Sequence, residues 1–350
     1  MFKPDIFDLS KNDNNNTNNF NTKYDIYYSR FPSPQIIKYG YNNFIQLSKT
    51  RLYDLLNQEK YKDRNFYLVT SPFEVNFINK TLNSEIKDIE EYSKEFFKNK
   101  NFSKHIEFYK IWEIMFLFPN LQKNKLKCSI KSDINDCKDC IEIFREKYFK
   151  KQTSNISIKQ MLDQSNLVIV SYDNKYNKKH EEIEYLGDLI KNVNSSLKIL
   201  AKDGCLVIKI YECFTIVTVK ILFILSSIFK KFHIFKPYIS RDFESEKYAI
   251  FEGYQDKKTN LNDLEKYSEK TNNVTFLTDF LEDLEIDLEF EEKIINSSLV
   301  LYNKFYASIH KMINYINSNN YYSLEYNKFL EEQKKASEFW KDTFLTNKLN

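Results

Sequence analysis

The stretch Asp203–Tyr254, DGCLVIKIYECFTIVTVKILFILSSIFKKFHIFKPYISRDFESEKYAIFEGY, restricts the fold of this chain more than any other. CLVIKI is a continuous apolar run of the kind found in strands buried on both faces. A long apolar helix over about Phe214–Lys230 follows it. FHIFK then predicts a second strand, PYISRDFESEK a turn that places Glu246 near its end, and YAIFEG a third strand. Lys209 interrupts the first strand near its end. An ammonium there is costly unless it has a carboxylate partner or a task.

The residues upstream supply matching elements. KLKCSI (Lys125–Ile130) reads as a short strand, about Ile134–Phe149 as a helix, NLVIVSYD (Asn166–Asp173) as a strand, and about His180–Leu200 as a helix. Strand alternating with helix in this order predicts an α/β fold with a doubly wound, mostly parallel sheet and helical extensions at both ends. The stretch between Cys128 and Asp173 looks short, with little room for a further strand. The sheet-bearing core is expected over 105–256.

Residues 11–22, KNDNNNTNNFNT, bury too little apolar area to order themselves, so 1–23 is expected to be a disordered tail. The N-terminal extension, 24–104, reads as an extended segment with a Pro turn, a helix ending near Leu56, and a strand in FYLVTSPFEV. Ser84–Phe118 is helical in period and ends in HIEFYKIWEIMFLFP, where Pro119 stops it. Over 257–350 the segments SSLVLYNKFYASIHKMINYI and YNKFLEEQKKASEFWKDTF predict two helices.

Composition narrows the class without naming a function. The 350 residues are 42% hydrophobic and 16% aromatic, enough for a substantial core, and the net charge of +3 indicates no whole-protein attraction to nucleic acid. Five cysteines, an odd number without framework spacing, point to a reducing compartment. Cys137 and Cys140 make one CxxC pair, short of the four ligands zinc requires, and His105, His180, His233 and His310 lack ligand spacing, so no metal is expected. The apolar helix near Phe214–Phe229 is shorter than the roughly 20 residues that span a bilayer and carries Lys220 in its middle, so no membrane is expected either.

Ligands of doubly wound sheets bind beyond the carboxyl ends of the strands. Asp173 and Lys209 both lie where strands end, Lys110 lies on the helix entering the first strand of the sheet, and Glu246 precedes the last strand. All four can face one crevice. The phrases FYKIWEI around Lys110, DGCLVIKIYECF around Lys209 and KPYISRDFESEKY around Glu246 resemble the FtsJ-like ribose 2′-O-methyltransferases, in particular the cap-modifying members of large cytoplasmic DNA viruses. The resemblance covers roughly residues 104–254.

It implies a Rossmann-like methyltransferase sheet, S-adenosylmethionine as cofactor, capped mRNA as substrate, and a catalytic set of Lys110, Asp173, Lys209 and Glu246. Viral transcription or capping subunits are the implied partners, and the host cytoplasm or virion the implied location. In this chemistry Lys209 takes the proton of a weakly acidic hydroxyl, Lys110 lowers the pKa of Lys209, and the two carboxylates hold the lysines while pushing that pKa the other way. KNKLKCSIK and the lysines at 230, 231 and 236 add positive charge near the cleft; such a face is usually just solvated, and RNA backbone contact would use the same residues.

On the cofactor side, the family's proline-glycine-glycine turn is replaced by CSIKSDIN, so that Ser129, Lys131, Ser132 and Asp133 are the candidate cofactor residues. The chain has four glycines, at 40, 187, 204 and 253, none between Tyr41 and Leu186. The alternative this motivates is an inactive methyltransferase fold retained as an RNA-binding or assembly subunit.

Overall fold

A computed structural model describes residues 4–10, 26–29, 41–58, 66–69, 74–78, 81–122, 125–149, 154–158, 162–172, 181–255, 276–281, 284–318 and 324–349. The N-terminal part comprises β1 (Asp5–Asp8), β2 (Ile26–Ser29), α1 (Tyr41–Leu56), β3 (Phe66–Val69), β4 (Glu74–Ile78), β5 (Thr81–Glu85) and α2 (Lys87–Phe96). There follow α3 (Ile106–Leu117), β6 (Leu126–Lys131), α4 (Asp136–Tyr148), β7 (Ser154–Ile158), β8 (Ser165–Val170) and α5 (Glu181–Ile199). The last elements are β9 (Leu200–Ile210), α6 (Ile216–Ile228), β10 (Phe229–Lys236), β11 (Lys247–Tyr254), β12 (Phe276–Phe280), α7 (Leu288–Ser318) and α8 (Leu324–Phe344).

Seven strands form one sheet in the order β1-β10-β11-β9-β8-β6-β7. β7, β6, β8 and β9 are parallel, and β11, β10 and β1 are added antiparallel. The chain leaves β6 for β7 on one side and returns to β8 on the other, so the strand order reverses at β6. This is the doubly wound, mostly parallel methyltransferase-type fold expected from the sequence.

Two expectations need correction and a third is extended. A strand, β7, does fit between Cys128 and Asp173; its five residues pair in parallel with β6 along the sheet edge, where alternating half-polar side chains give little apolar signal. Asp5–Asp8, assigned to a disordered tail, pairs with β10, and Leu9 beside it is 1% exposed, so burial of one leucine and a short ladder order this piece. FYLVTSPFEV holds the expected strand, β3, but past its proline it also opens β4, which pairs antiparallel with β3 and with β5. The Asn-rich patch and the Pro turn lie outside the described residues.

Strand periodicity decides which side chains meet which helices. In β9, Leu206, Ile208 and Ile210 pack with α5, α6 and α7 on one face, whereas Cys205 and Val207 pack with α3, α4 and α8 on the other. Successive strand residues alternate faces, so Lys209 belongs to the α3 side. The same alternation in β11 puts Tyr248 and Ile250 on that side and Ala249 and Phe251 on the other.

The apolar helix α6 is buried on all sides, as its uniform apolarity requires. Its Lys220 donates to Asp279 Oδ1 at 2.8 Å and to the carbonyls of Phe280 and Leu281 at 3.0 and 2.9 Å, which fastens β12 to the helix. No helix among the described residues is long and apolar enough to cross a membrane. His310, on α7, lies 3.3 Å from the Ser48 hydroxyl of α1.

Candidate active site

α3 is a core helix that carries charge. Residues 107–115 are all buried, including Glu107, Lys110 and Glu113. These three recur at intervals of three residues and share one side of the helix. His105 caps its N-terminus, Nδ1 accepting the Glu107 N–H at 3.3 Å.

Lys110 and Lys209 meet two carboxylates at the carboxyl end of β9. Lys110 Nζ donates to Glu107 Oε1 at 2.8 Å and is paired with Glu246 Oε1. Lys209 Nζ donates to the same Glu107 oxygen at 3.0 Å and lies 3.4 Å from Glu246 Oε2. A third bond runs from Lys209 to the carbonyl of Tyr172, just beyond β8, at 3.1 Å. Glu107 Oε2 accepts the Ser171 and Tyr248 hydroxyls at 2.7 and 2.9 Å. Tyr248 stands opposite Lys209 in the β11–β9 ladder, which explains why both reach one carboxylate.

Of the expected set, the structure brings together Lys110, Lys209 and Glu246. Asp173 lies outside the described residues, one position past the carbonyl that Lys209 holds. Glu107 was missed: in an apolar helix, nothing in the pattern distinguishes a carboxylate aimed into the core from one at the surface. Its signal was the three-residue spacing to Lys110.

The four groups form a charge-balanced quartet with each residue less than a tenth exposed. For Lys209, burial and the neighbouring Lys110 press the pKa down, but the carboxylates of Glu107 and Glu246 outweigh them and leave it raised. Lys110 is raised for the same reason. Burial works against ionised Glu107 and Glu246 too, yet the two ammonium groups hold Glu107 at about 2 and Glu246 well below the ordinary glutamate value. Lys110 does press Lys209 down, but the two carboxylates outweigh it, so the resting quartet favours the ammonium form of Lys209.

The turn carrying Glu246 is tied at several points. The Ser240 hydroxyl donates to Glu246 Oε1 at 3.0 Å, and Lys236 Nζ donates to the carbonyls of Glu244 and Glu246 at 2.7 and 2.8 Å. Lys236 is buried, which drops its pKa to about 8 and removes it from any exposed RNA-contacting face; Lys230 and Lys231 are exposed. Glu113 accepts the Tyr238 N–H at 2.6 Å and the Ile239 and Trp340 N–H groups at 2.9 and 2.8 Å. One carboxylate thus joins α3, the turn and α8.

Burial raises Glu113 to about 7 against the pull of these donors. Its folded pKa lies above the ordinary 4.5, so the folded state binds the extra proton between those values and stability falls as pH rises from 4.5 to 7. The difference in urea midpoint between wild type and Glu113→Gln is expected to vary with pH across that window and to level off above it. A pH-independent difference would remove this assignment.

The candidate cofactor residues at the end of β6 are engaged inside the protein. Ser129 Oγ bonds Ser165 Oγ and accepts the Leu162 N–H, both at 2.8 Å. Lys131 Nζ reaches α5, bonding Ser195 Oγ and lying 3.4 Å from Asn192 Oδ1. Ser132 Oγ accepts the Ile134 N–H at 3.1 Å and is 1% exposed; Asp133 is exposed. Three of the four candidate side chains are thus engaged within the protein, so S-adenosylmethionine bound at this glycine-free turn would be held chiefly by backbone groups.

All five cysteines are buried free thiols, and burial pushes Cys137 to about 12. Among the described residues no group of three or more His, Cys, Asp or Glu is placed to hold a metal ion.

Comparison with known proteins agrees with this architecture. Residues 121–254 match the family model described as FtsJ-like methyltransferase. This segment is an FtsJ-like methyltransferase domain. Lys209 and Glu246 lie within the FtsJ-like domain, and Glu107 and Lys110 precede it. An uncharacterized protein of Acanthamoeba polyphaga mimivirus is 28% identical over 320 residues, which cover 91% of this chain and 84% of that protein. The likeness therefore runs beyond the FtsJ-like domain into both extensions. A probable spermidine synthase from Corynebacterium glutamicum superposes with a TM-score of 0.26 at 9% identity, over 62% of this chain and 92% of its own, too slight a likeness to inform the fold.

Proposed function

We propose that the FtsJ-like domain serves S-adenosylmethionine-dependent methylation of a ribose 2′-hydroxyl in RNA, with capped mRNA as substrate, in the host cytoplasm or virion of a large DNA virus. The observation that carries this reading is the buried quartet. Two lysines and two carboxylates from a helix, a strand end and a turn are held together at the end of the sheet where ligands of this architecture bind. Burying four ionised groups is costly, and replacing such an arrangement by apolar residues is often neutral or stabilising, so retaining it favours a task.

The chemistry assigned to the chain's own atoms is limited. Lys110 and Glu246 fix Lys209, and Lys209 Nζ accepts the 2′-hydroxyl proton once it has itself become neutral. Asp173, one position after Tyr172 in the sequence, is retained in the proposal as a further carboxylate of the catalytic set.

The test is to incubate the full chain with capped RNA and S-adenosylmethionine and locate any added methyl group by mass spectrometry of the digested RNA. One methyl on a ribose 2′-oxygen is the expected result. The side-chain commitments of Ser129, Lys131 and Ser132 favour a second reading, an RNA-binding or assembly subunit without transfer activity. Calorimetry separates the two. Folded protein that binds RNA but gives no heat with S-adenosylmethionine supports the second reading and ends the first.

A further inference from the structure

Both neighbours of Glu246 are tied into a second buried charge network, and its central cation comes from outside the FtsJ-like domain. Lys49 sits on α1, 4% exposed, with Nζ 3.1 Å from Glu212 Oε1 and 3.7 Å from Glu181 Oε2. Glu181 opens α5, and its Oε2 also accepts the hydroxyl of Ser245, the residue before Glu246. Glu212 follows Tyr211, whose carbonyl accepts the ammonium of Lys247, the residue after Glu246.

The N-terminal end of α5 and the residue two past β9 therefore meet on one ammonium, and the start of β11 is linked to them through Ser245 and Lys247. Glu181 and Glu212 are 4% and 3% exposed, so little water is available to replace that charge if it is removed. Their mutual repulsion then acts on the two backbone positions that set where Glu246 points.

We propose that Lys49 is a positioning residue for the reaction centre: α1 delivers an ammonium that fixes the residues on either side of Glu246, making the N-terminal extension a working part of the FtsJ-like domain. The proposal rests on the methyl-transfer reading for its kinetic consequence but not for its structural one. Lys49 touches neither member of the lysine pair in the quartet. It acts through Glu181 and Ser245 on one side and through Glu212 and the 211–247 contact on the other.

The experiment uses the full chain with Lys49→Met and Lys49→Arg, read by hydrogen exchange of peptides spanning 237–247 and by steady-state methyl transfer to capped RNA. Lys49→Met is expected to exchange faster in that segment, with the FtsJ-like strands at β6 and β8 unchanged. It should lose about tenfold to a hundredfold in kcat, the size of effect that small misplacements of reacting groups produce. KM for RNA is expected to stay constant, and Lys49→Arg to recover most of the rate.

Unchanged exchange in a folded Lys49→Met protein overturns the proposal, as does a loss confined to KM or an arginine variant no better than methionine. If Lys49→Met does not fold, Ser245→Ala cuts the link to Glu181 without removing a charge and is expected to raise exchange over 237–247; no rise there overturns the proposal as well. Wild-type protein that transfers no methyl group counts against the function proposed above, while the exchange comparison still decides the role of Lys49.

Discussion

Lys209→Met is expected to lower methyl transfer by about two to four orders of magnitude, the range that loss of a positioned general base produces. RNA affinity should change far less, because Lys209 is 2% exposed and contributes no surface charge. Arginine should not rescue the loss, since a guanidinium stays protonated at any working pH. The quartet adds a sharper expectation. Lys209 titrates above the ordinary lysine value of 10.5, with Glu107 and Glu246 overcoming the effect of burial. Below its pKa the neutral fraction rises about tenfold per pH unit, so the wild-type rate should climb about a hundredfold from pH 7 to pH 9. A rate flat across that interval, or a Lys209→Met protein as active as wild type, would show that Lys209 is not the base.

Glu107→Ala is expected to destabilise the protein by roughly 3–5 kcal/mol, the cost of removing one partner from a buried ion pair. Both lysines donate to the same Glu107 oxygen, and its other oxygen accepts two hydroxyls, so one substitution strips four hydrogen bonds. The double change Glu107→Leu with Lys110→Met should recover much of the loss, because apolar residues of similar volume pay no desolvation penalty. Urea denaturation of the three proteins measures this. Glu107 is held at about 2 in the folded state, below its ordinary value of 4.5, so its contribution is present above pH 4.5 and lost as pH falls towards 2. The acid limb of the stability curve should therefore flatten in Glu107→Ala. A cost under about 1 kcal/mol, typical of a solvated pair, would contradict a buried quartet.

Much of the fold was legible because strands buried on both faces, parallel or antiparallel, leave near-continuous apolar runs. CLVIKI, NLVIVSYD and YAIFEG were readable in this way, and the single lysine in the first marked the buried quartet. β1 and β7 escaped because both are short edge strands, four and five residues long. The site divided along a similar line. Lys209 and Glu246 stood out against apolar or turn contexts, whereas Glu107 and Lys49 look like ordinary polar positions on helices, and only the tertiary arrangement shows that each is buried. Absence of glycine from the β6 turn was visible in the sequence. That Ser129, Lys131 and Ser132 are bonded internally was not, since it depends on where β8 and α5 pass.

The hydrogen bond from Trp340 to Glu113 spans 227 residues and has a bearing on how the protein is made. Contacts between segments so distant in sequence pay their loop-closure entropy late, after local elements have formed. Synthesis proceeds from the N-terminus, and the sheet from β6 to β11 is complete in sequence well before α8 is translated. A nascent chain that has reached Tyr254 thus holds every residue of the quartet but lacks the indole that pins the Glu113 carboxylate against the Glu246 turn. The tie that braces the Glu246 turn is therefore completed only by the final helix, and a chain stalled before residue 340 carries the quartet without it.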